Sequence, residues 1–529
     1  MKSTFLILLS LFSFLSIHSQ HCSERYKNRI FNTIQIHRDV IYTKNAPKLI
    51  GSSLGIETII NRDLKMDIFF PPTTDTVQNR PVVIVAHGGG FIDVAFMGGT
   101  LLVGVKENDD VQALCDSLAH RGFIAAAIEY RTGFDVASTT SIKRAVWRGA
   151  QDMSSAIRFF RKNAQFLGVN PAQIFISGSS AGAFCAIHSC FVDFYERIPE
   201  SYAQGIGMNN LGALHSRPIV QLTGTNPYTG NNVNGQDIDS LPLAVASYWG
   251  AIADSSFFYG NNKAPVIMFH GDNDIVVSHQ CARPFSNVVL AAPATCGSEV
   301  MFAALQGQSI DSKLFIESGQ GHEYWGALNG SWLPSGPNAF WKNIIDSTIS
   351  FYYHYAQPQI PVLNLQTSYQ AGQIYSFQVQ NHQAGQSYCW SFTNATIISN
   401  NQSSFQIQVQ FDSNATESEI QVSTISSNDF ESQQQINLIQ LSQTSSLENI
   451  SENNFSIYPN PAQEKIFIEN SLDEEPMQIH IFNSLGQGIF KNQSDDKQME
   501  IVTNNWQKGI YLFECRNRRG TFVRKIIIQ

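Results

Sequence analysis

The stretch Ile174-Phe-Ile-Ser-Gly-Ser-Ser-Ala-Gly-Ala183 constrains the fold of this chain more than any other. The apolar residues from Gln173 to Ser177 read as a buried strand, and Ala181 to Phe191 as the helix that follows. Between them, Gly178-Ser179-Ser180-Ala181-Gly182 fits Gly-x-Ser-x-Gly, in which a strand turns sharply into a helix and exposes the central Ser. The flanking glycines are needed because a side chain there would strike neighbouring backbone. Gly/Ser/Ala runs also arise by chance, so the meaning of Ser180 depends on whether the chain supplies its partners.

Buried-strand signals recur on both sides of this turn. Ile34 to Tyr42 and Leu64 to Phe70 alternate with a period of two, and Pro71-Pro72 ends the second. Pro81 to Ala86, Gly122 to Tyr130, Leu243 to Trp249, Pro265 to His270 and Lys313 to Glu317 are the near-continuous apolar runs of a parallel sheet. Helical patterns cover Val111 to Arg121 and Ser141 to Ala164, and an amphipathic stretch begins at Phe340. Strands alternating with helices on this scale predict an α/β domain with a mostly parallel sheet, closing near Tyr355.

Acyl transfer through a serine needs a base, a group that orients the base, and donors for the oxyanion. In open α/β sheets such groups gather beyond the carboxyl ends of the strands. His87-Gly88-Gly89-Gly90-Phe91 follows the strand ending at Ala86, and its glycines let backbone N–H groups approach a carbonyl. Gly89 and Gly90, with the N–H of Ala181, are the expected oxyanion hole. Asp274 is the expected acid; Asp272, two residues earlier, competes with it, and Asp254 is a third option. His322 follows the last predicted strand and a glycine-rich turn, completing the order Ser, Asp, His. Read as structure alone, these are a flexible turn, solvated turn aspartates and a loop histidine, but all four fall at strand ends in the expected order. A zinc reading of His322-Glu323 fails because Gly326 stands where a helical motif needs its second His. No metal or cofactor is expected. His188 and His279 read as structural or surface residues. Phe91, Tyr324, Trp325 and Trp249 are candidates for an acyl pocket or for core, and residues from about Phe191 to Leu243 for a cap.

The chain of 529 residues is too long for one ordinary domain. Lys2 followed by the apolar run Phe5 to Ile17 reads as a signal peptide over residues 1–19. No later stretch has the length and polarity of a membrane span. A net charge of -9 argues against nucleic acid as the main partner. Residues 20–356 form the expected α/β domain. From 357 to 441 the sequence turns Gln/Ser/Asn/Thr-rich with short alternating runs such as Phe405 to Phe411, as in a small β-sandwich. Residues 442–454 are a polar linker, and 455–529 alternate again like strands. Eight cysteines in an exported chain suggest disulfides. Cys281 with Cys296 is the first expected pair and Cys22 with Cys115 the second. Cys185 and Cys190 read as buried thiols, and Cys389 and Cys515 as solitary.

With these residues in place, Ile34 to Tyr355 resembles the α/β-hydrolase superfamily, in particular the carboxylesterase and hormone-sensitive-lipase-like esterases that carry His-Gly-Gly-Gly. Glu129-Tyr130-Arg131 after a strand is a shared feature. Ser179 departs from the Asp or Glu those esterases carry before the nucleophile. Tyr458-Pro-Asn-Pro461, Asn483-Ser-Leu-Gly486, Trp506 to Tyr511 and Lys525-Ile-Ile-Ile528 resemble the C-terminal sorting domain of the type IX secretion system of Bacteroidota. The middle region is similar to Ig-like or PKD-type modules through Tyr388-Cys-Trp-Ser-Phe392. These resemblances imply a secreted or surface serine esterase with an ester substrate and the secretion machinery as partners. Polymeric ester or peptide substrates, and a binding protein on an inactive hydrolase fold, are the competing expectations.

Overall fold

The computed structural model describes residues 22–53, 56–93, 103–192, 214–223, 230–285, 289, 291–443, 455–470, 477–494, 496–517 and 520–529. The expected signal peptide, most of the linker, and 193–213 and 224–229 of the expected cap lie outside the described residues.

An eight-stranded sheet organises the described residues up to Ala356. Its strands are β1 (Gln35–Ser53), β2 (Ile56–Phe70), β3 (Arg80–Ala86), β4 (Ile124–Ile128), β5 (Val169–Ser179), β6 (Ala244–Tyr248), β7 (Val266–Gly271) and β8 (Ser312–Glu317). The spatial order is β1-β2-β4-β3-β5-β6-β7-β8. β1 pairs antiparallel with β2, and β2 with β4; every other pairing is parallel. Among the described residues the longer helices beside the sheet are α1 (Asp109–Ala119), α2 (Thr139–Lys162), α3 (Ala181–Phe191), α4 (Ser298–Gly307) and α5 (Ala339–Ala356).

The near-continuous apolar strands follow from burial on both faces. Along β3, Val82, Ile84 and Ala86 pack toward the α2, α3 and α4 side, while Val83 and Val85 pack toward α1 and α5. β1 and β2 extend well beyond the expected strands as one long hairpin; Asn45 and Pro47 break the alternation that sequence reading relies on. Helix α4 is likewise absent from the expectations.

Residues 369–442 form a four-stranded sheet facing a three-stranded one, with Phe377, Trp390, Val409 and Val422 in the core between them. This sandwich docks on the eight-stranded domain through the loop 426–432. Phe430 is fully buried, stacked on Tyr26 at 4.1 Å and packed against Phe123 and Tyr353. Tyr353 Oη donates to the Glu431 carbonyl at 2.8 Å, and Asn428 Nδ2 donates to Asn79 O and Gln173 Oε1. Asn79 and Gln173 lie at the amino-terminal ends of β3 and β5, so the sandwich sits at the end of the sheet remote from Ser180.

Cys281 pairs with Cys296, as expected. The second expectation is corrected: Cys22 pairs with Cys389, not Cys115, so Cys389 is not solitary. Cys115 faces the core from α1 as a free thiol. The bridge joins two regions 367 residues apart, which no local spacing could indicate. The described residues of 455–529 form three- and four-stranded sheets around Ile466, Ile479, Phe513 and Ile526. Asn460 bridges to the terminal strand, donating to Lys525 O and accepting from Ile527 N at 2.9 Å each.

Candidate active site

Ser180 stands between β5 and α3 with φ +51° and ψ −116°, a conformation rarely adopted by a side chain other than glycine's hydrogen. The turn is packed too tightly for larger neighbours. A Cβ on Gly182 would lie 2.2 Å from Ala86 O, and one on Gly178 would lie 2.2 Å from the Gly182 carbonyl carbon. The backbone N–H of Ser180 donates to Tyr248 O at the end of β6, pinning the elbow across the sheet. The α3 amino terminus begins at Ala181, with its N–H groups and the positive end of the helix dipole at the serine.

The His87–Gly90 loop lies beside this elbow. Gly89 and Gly90 both adopt positive φ, at +98° and +59°, so their N–H directions depend on the absence of side chains. His87 is buried, and its ring stacks on Tyr130 at 4.3 Å. Burial pushes its pKa down to about 4, so the neutral ring donates Nδ1–H to Gly88 O at 2.7 Å. Tyr130 Oη donates to the carbonyls of His87 and Gly88 at 2.9 and 3.1 Å, a role the sequence did not reveal. Arg131 anchors the same segment through Asp152 on α2, both being fully buried.

Asp274 and His322 meet over the ends of β7 and β8. Gly271 permits this: a Cβ there would lie 2.2 Å from Gln320 O. His322 Nδ1 is 2.7 Å from Asp274 Oδ2, while Asp274 Oδ1 accepts the N–H groups of Val276 and Val277. Burial alone would raise the Asp274 pKa, but the hydrogen bonds and charges of His270 and His322 hold it well below the usual carboxylate range. Burial disfavours the His322 cation, yet the bond to Asp274 and the charges of Asp274 and Glu323 outweigh it and raise the histidine's pKa. His270 is an unforeseen supporter. Its Nε2 lies 2.8 Å from Val277 O and 3.3 Å from Asp274 Oδ2, and its Nδ1 lies 2.8 Å from the Ser298 hydroxyl. Asp272 is engaged elsewhere, accepting from Gly319 N and Ser318 Oγ in the turn after β8. Asp254 caps a short helical turn by accepting from Ser256 N.

Ser180, Ala181, Gly90 and Phe91 line one cleft. Its other walls include Phe134, Ile142, Phe184, Val277 and Phe285. His188 also lines it as a neutral ring: Nδ1–H donates to Phe184 O, Nε2 accepts from Ala253 N, and burial lowers its pKa to about 4. Tyr324 and Trp325 are placed away from this cleft. Trp325 is 1% exposed and packs among Tyr248, Trp249 and Trp341, and Tyr324 packs on Trp249 and Phe340. Apolar residues at that position serve core packing as well as a pocket, and core packing is what this sheet end required. Among the described residues no group of three or more His, Cys, Asp or Glu side chains is arranged to hold a metal ion.

The strand order, the serine elbow and the His–Asp pair at the carboxyl ends define an α/β-hydrolase domain. Residues 66–289 match the BD-FAE family model, and residues 456–529 match the secretion system C-terminal sorting domain. The chain thus has one region similar to the BD-FAE family and, later in the sequence, one similar to the sorting domain. Curated relatives include the Probable isoprenylcysteine alpha-carbonyl methylesterase ICMEL2 of Arabidopsis thaliana, 29% identical over 27% of this chain and 28% of its own length. Gut esterase 1 of Caenorhabditis elegans is 30% identical over 25% of this chain and 21% of its own length. Carboxylesterase 3B of Mus musculus is 30% identical over 26% and 23% respectively. The chain therefore spans less than a third of the length of these three relatives. Among solved structures, Thermogutta terrifontis esterase 2 phosphorylated by paraoxon is 18% identical, covering 59% of this chain and 96% of its own, with a TM-score of 0.34.

Proposed function

We propose that this chain is an exported serine hydrolase of carboxylic esters, working through an acyl-enzyme. Ser180 attacks the ester carbonyl, His322 accepts its proton through Nε2, and Asp274 holds the ring in that tautomer. The N–H groups of Gly89, Gly90 and Ala181 receive the tetrahedral oxyanion, each such donor contributing about 3 kcal/mol. His322 then returns the proton to the leaving alcohol, and water releases the acid by the same steps in reverse. The observation that carries this reading is the 2.7 Å pair of His322 and Asp274, assembled over the same sheet end as the Ser180 elbow. The cleft beside Ser180 suits an apolar acyl group, because its described walls are mainly aliphatic and phenyl side chains.

Residues 20–356 form the hydrolase unit in this reading and 357–441 an Ig- or PKD-like spacer. A signal peptide at 1–19 and the domain at 455–529 direct type IX export to the surface or the medium. The test is Ser180→Ala with a fluorophosphonate probe and short p-nitrophenyl esters. Wild-type protein labels and hydrolyses; the variant folds, fails to label and loses hydrolysis. Retained hydrolysis in the variant would refute the assignment.

A further inference from the structure

Glu323 follows His322 directly, is 4% exposed, and holds φ +51° without being glycine. Its carboxylate is turned inward. Oε2 accepts the N–H of Gly330 at 3.1 Å. Oε1 lies against the oxyanion loop: a methyl group on Gly88 would sit 3.4 Å from it and 3.3 Å from Ser179 Oγ. Ser179 Oγ in turn accepts Trp249 Nε1–H at 3.3 Å. Glu323 thus occupies the space where the loop of the base meets the loop of the oxyanion donors.

Asp110, on the first turn of α1, approaches from behind. It is 1% exposed; Oδ1 accepts the N–H of Val111, and Oδ2 has no hydrogen-bond partner among the described residues. Gly330 connects the two acids, giving its N–H to Glu323 and its carbonyl to the N–H of Asp110. Neighbouring buried carboxyls do not readily ionise together. Burial and the charge of Glu323 push the Asp110 pKa well above its ordinary value. Burial raises the Glu323 pKa as well, against the opposing pull of His322 and the N–H groups of Gly330 and Asn329. Of the two carboxyls Glu323 is the better placed to carry the charge, since it adjoins His322 and accepts the Gly330 N–H. The titratable groups facing Glu323 are His322 beside it, Asp274 on the β7 loop and Asp110 on α1; those facing His322 are Asp274 and Glu323.

We propose that Glu323 is a positioning residue of the catalytic centre, bracing the oxyanion loop at Gly88 and placing a second negative charge behind His322. This rests on the roles proposed above for Ser180 and His322. A glutamate that merely fixed its own loop would affect folding without altering the titration of the base. The charge makes the difference, because an anion near the imidazole favours the cation that forms as Ser180 loses its proton.

The experiment compares Glu323→Gln and Glu323→Asp with wild type on p-nitrophenyl acetate across pH. The Gln variant keeps the shape and an oxygen for the Gly330 N–H. Its kcat should fall about tenfold with KM within about twofold, and the acid limb of kcat/KM should move down by about half a pH unit. The Asp variant keeps the charge, so its limb should stay in place while kcat falls less. A folded Gln variant with wild-type kcat and limb overturns the inference. If circular dichroism finds the Gln variant unfolded, the Asp variant decides, and a downward limb shift there overturns it. Fluorophosphonate labelling of wild-type Ser180 separates the outcomes: no label refutes the underlying esterase reading, whereas a label with unmoved variants refutes only the role of Glu323.

Discussion

Asp274 gives its two carboxylate oxygens different work: Oδ2 faces His322 Nδ1 at 2.7 Å, and Oδ1 takes the N–H groups of Val276 and Val277. The aspartate is therefore fixed by its own loop before it orients the histidine. An amide in its place retains one oxygen but loses the charge and presents a donor to one of these partners. Asp274→Asn should lower kcat/KM on short esters about 10²–10⁴-fold. Asp272→Asn disturbs only the Ser318–Gly319 turn and should stay within about tenfold of wild type. Steady-state kinetics on the two variants side by side decide between the carboxylates, and an essential Asp272 with a dispensable Asp274 reverses the assignment.

The same pair sets a pH dependence. His322 must be neutral to accept a proton, and despite burial its bond to Asp274 raises its pKa above 6.5. Activity should therefore fall as pH drops through a value above 6.5. Stability follows the opposite sense for the histidine. A raised pKa contributes stability that is full below the unfolded value and is lost as pH rises through the folded one. The depressed pKa of Asp274 contributes stability above its unfolded value, lost as pH falls through the folded one. The pair should stabilise most between about pH 4 and 6.5. Melting temperatures of wild type and Asp274→Asn across pH 3–9 check this, on the order of a few degrees; equal pH profiles would remove the pair as the cause.

The mostly parallel sheet and the placement of Ser180, His87–Gly90, Asp274 and His322 after apolar strands were legible in sequence; the spatial order of the strands was not, since pairings between distant segments leave no local pattern. Choosing Asp274 over Asp272 needed coordinates, since both leave the same strand and differ only in the turn each one caps. Tyr130 was visible only as part of the shared Glu129-Tyr130-Arg131 feature, without its role, and His270 and Glu323 carry no local pattern; the parts of all three depend on loops brought together from distant segments. Trp325 stayed open between pocket and core in the sequence, as an apolar residue near such a loop looks the same in either place; packing among Trp249 and its neighbours puts it in the core. The partner of Cys22 was out of reach because it lies in another folding unit.

Tyr130 holds the His87–Gly90 loop by donating one hydroxyl to two carbonyls, and burial keeps that hydroxyl protonated by raising its pKa well above 10. Tyr130→Phe removes only the oxygen and preserves the stacking on His87. We expect kcat to fall about 5–50-fold with KM little changed, because N–H donors that tilt from the oxyanion are missed chiefly in the transition state. A fall in KM-dependent binding with unchanged kcat would place the hydroxyl in substrate binding instead.

Phe184 forms part of the cleft wall one helical turn after Ser180, and its ring meets Phe91 edge-on at 6.4 Å. Phe184→Ala should deepen the cleft and shift preference toward longer acyl chains, raising the octanoate-to-acetate ratio of kcat/KM about tenfold. An unchanged ratio on a p-nitrophenyl ester series would assign the acyl group to a different surface.

Phe430 belongs to the sandwich but is buried in the core of the hydrolase domain, against Tyr26, Phe123 and Tyr353. Truncation would leave a cavity across the junction, and Phe→Ala in such a setting costs about 3–5 kcal/mol. The socket lies at the amino-terminal strand ends, with Asn79 and Gln173 at its edge, whereas Ser180 lies at the other end of β5. Phe430→Ala should therefore lower the urea midpoint of the hydrolase domain while leaving kcat/KM of the folded protein near wild type. The disulfide Cys22–Cys389 spans the same junction, so the loss should be larger under reducing conditions, when the two units are no longer covalently joined. If the midpoint does not move in the variant, the buried ring contributes nothing to joining the units. If activity falls with it at temperatures well below unfolding, the junction is coupled to the site through the length of β5.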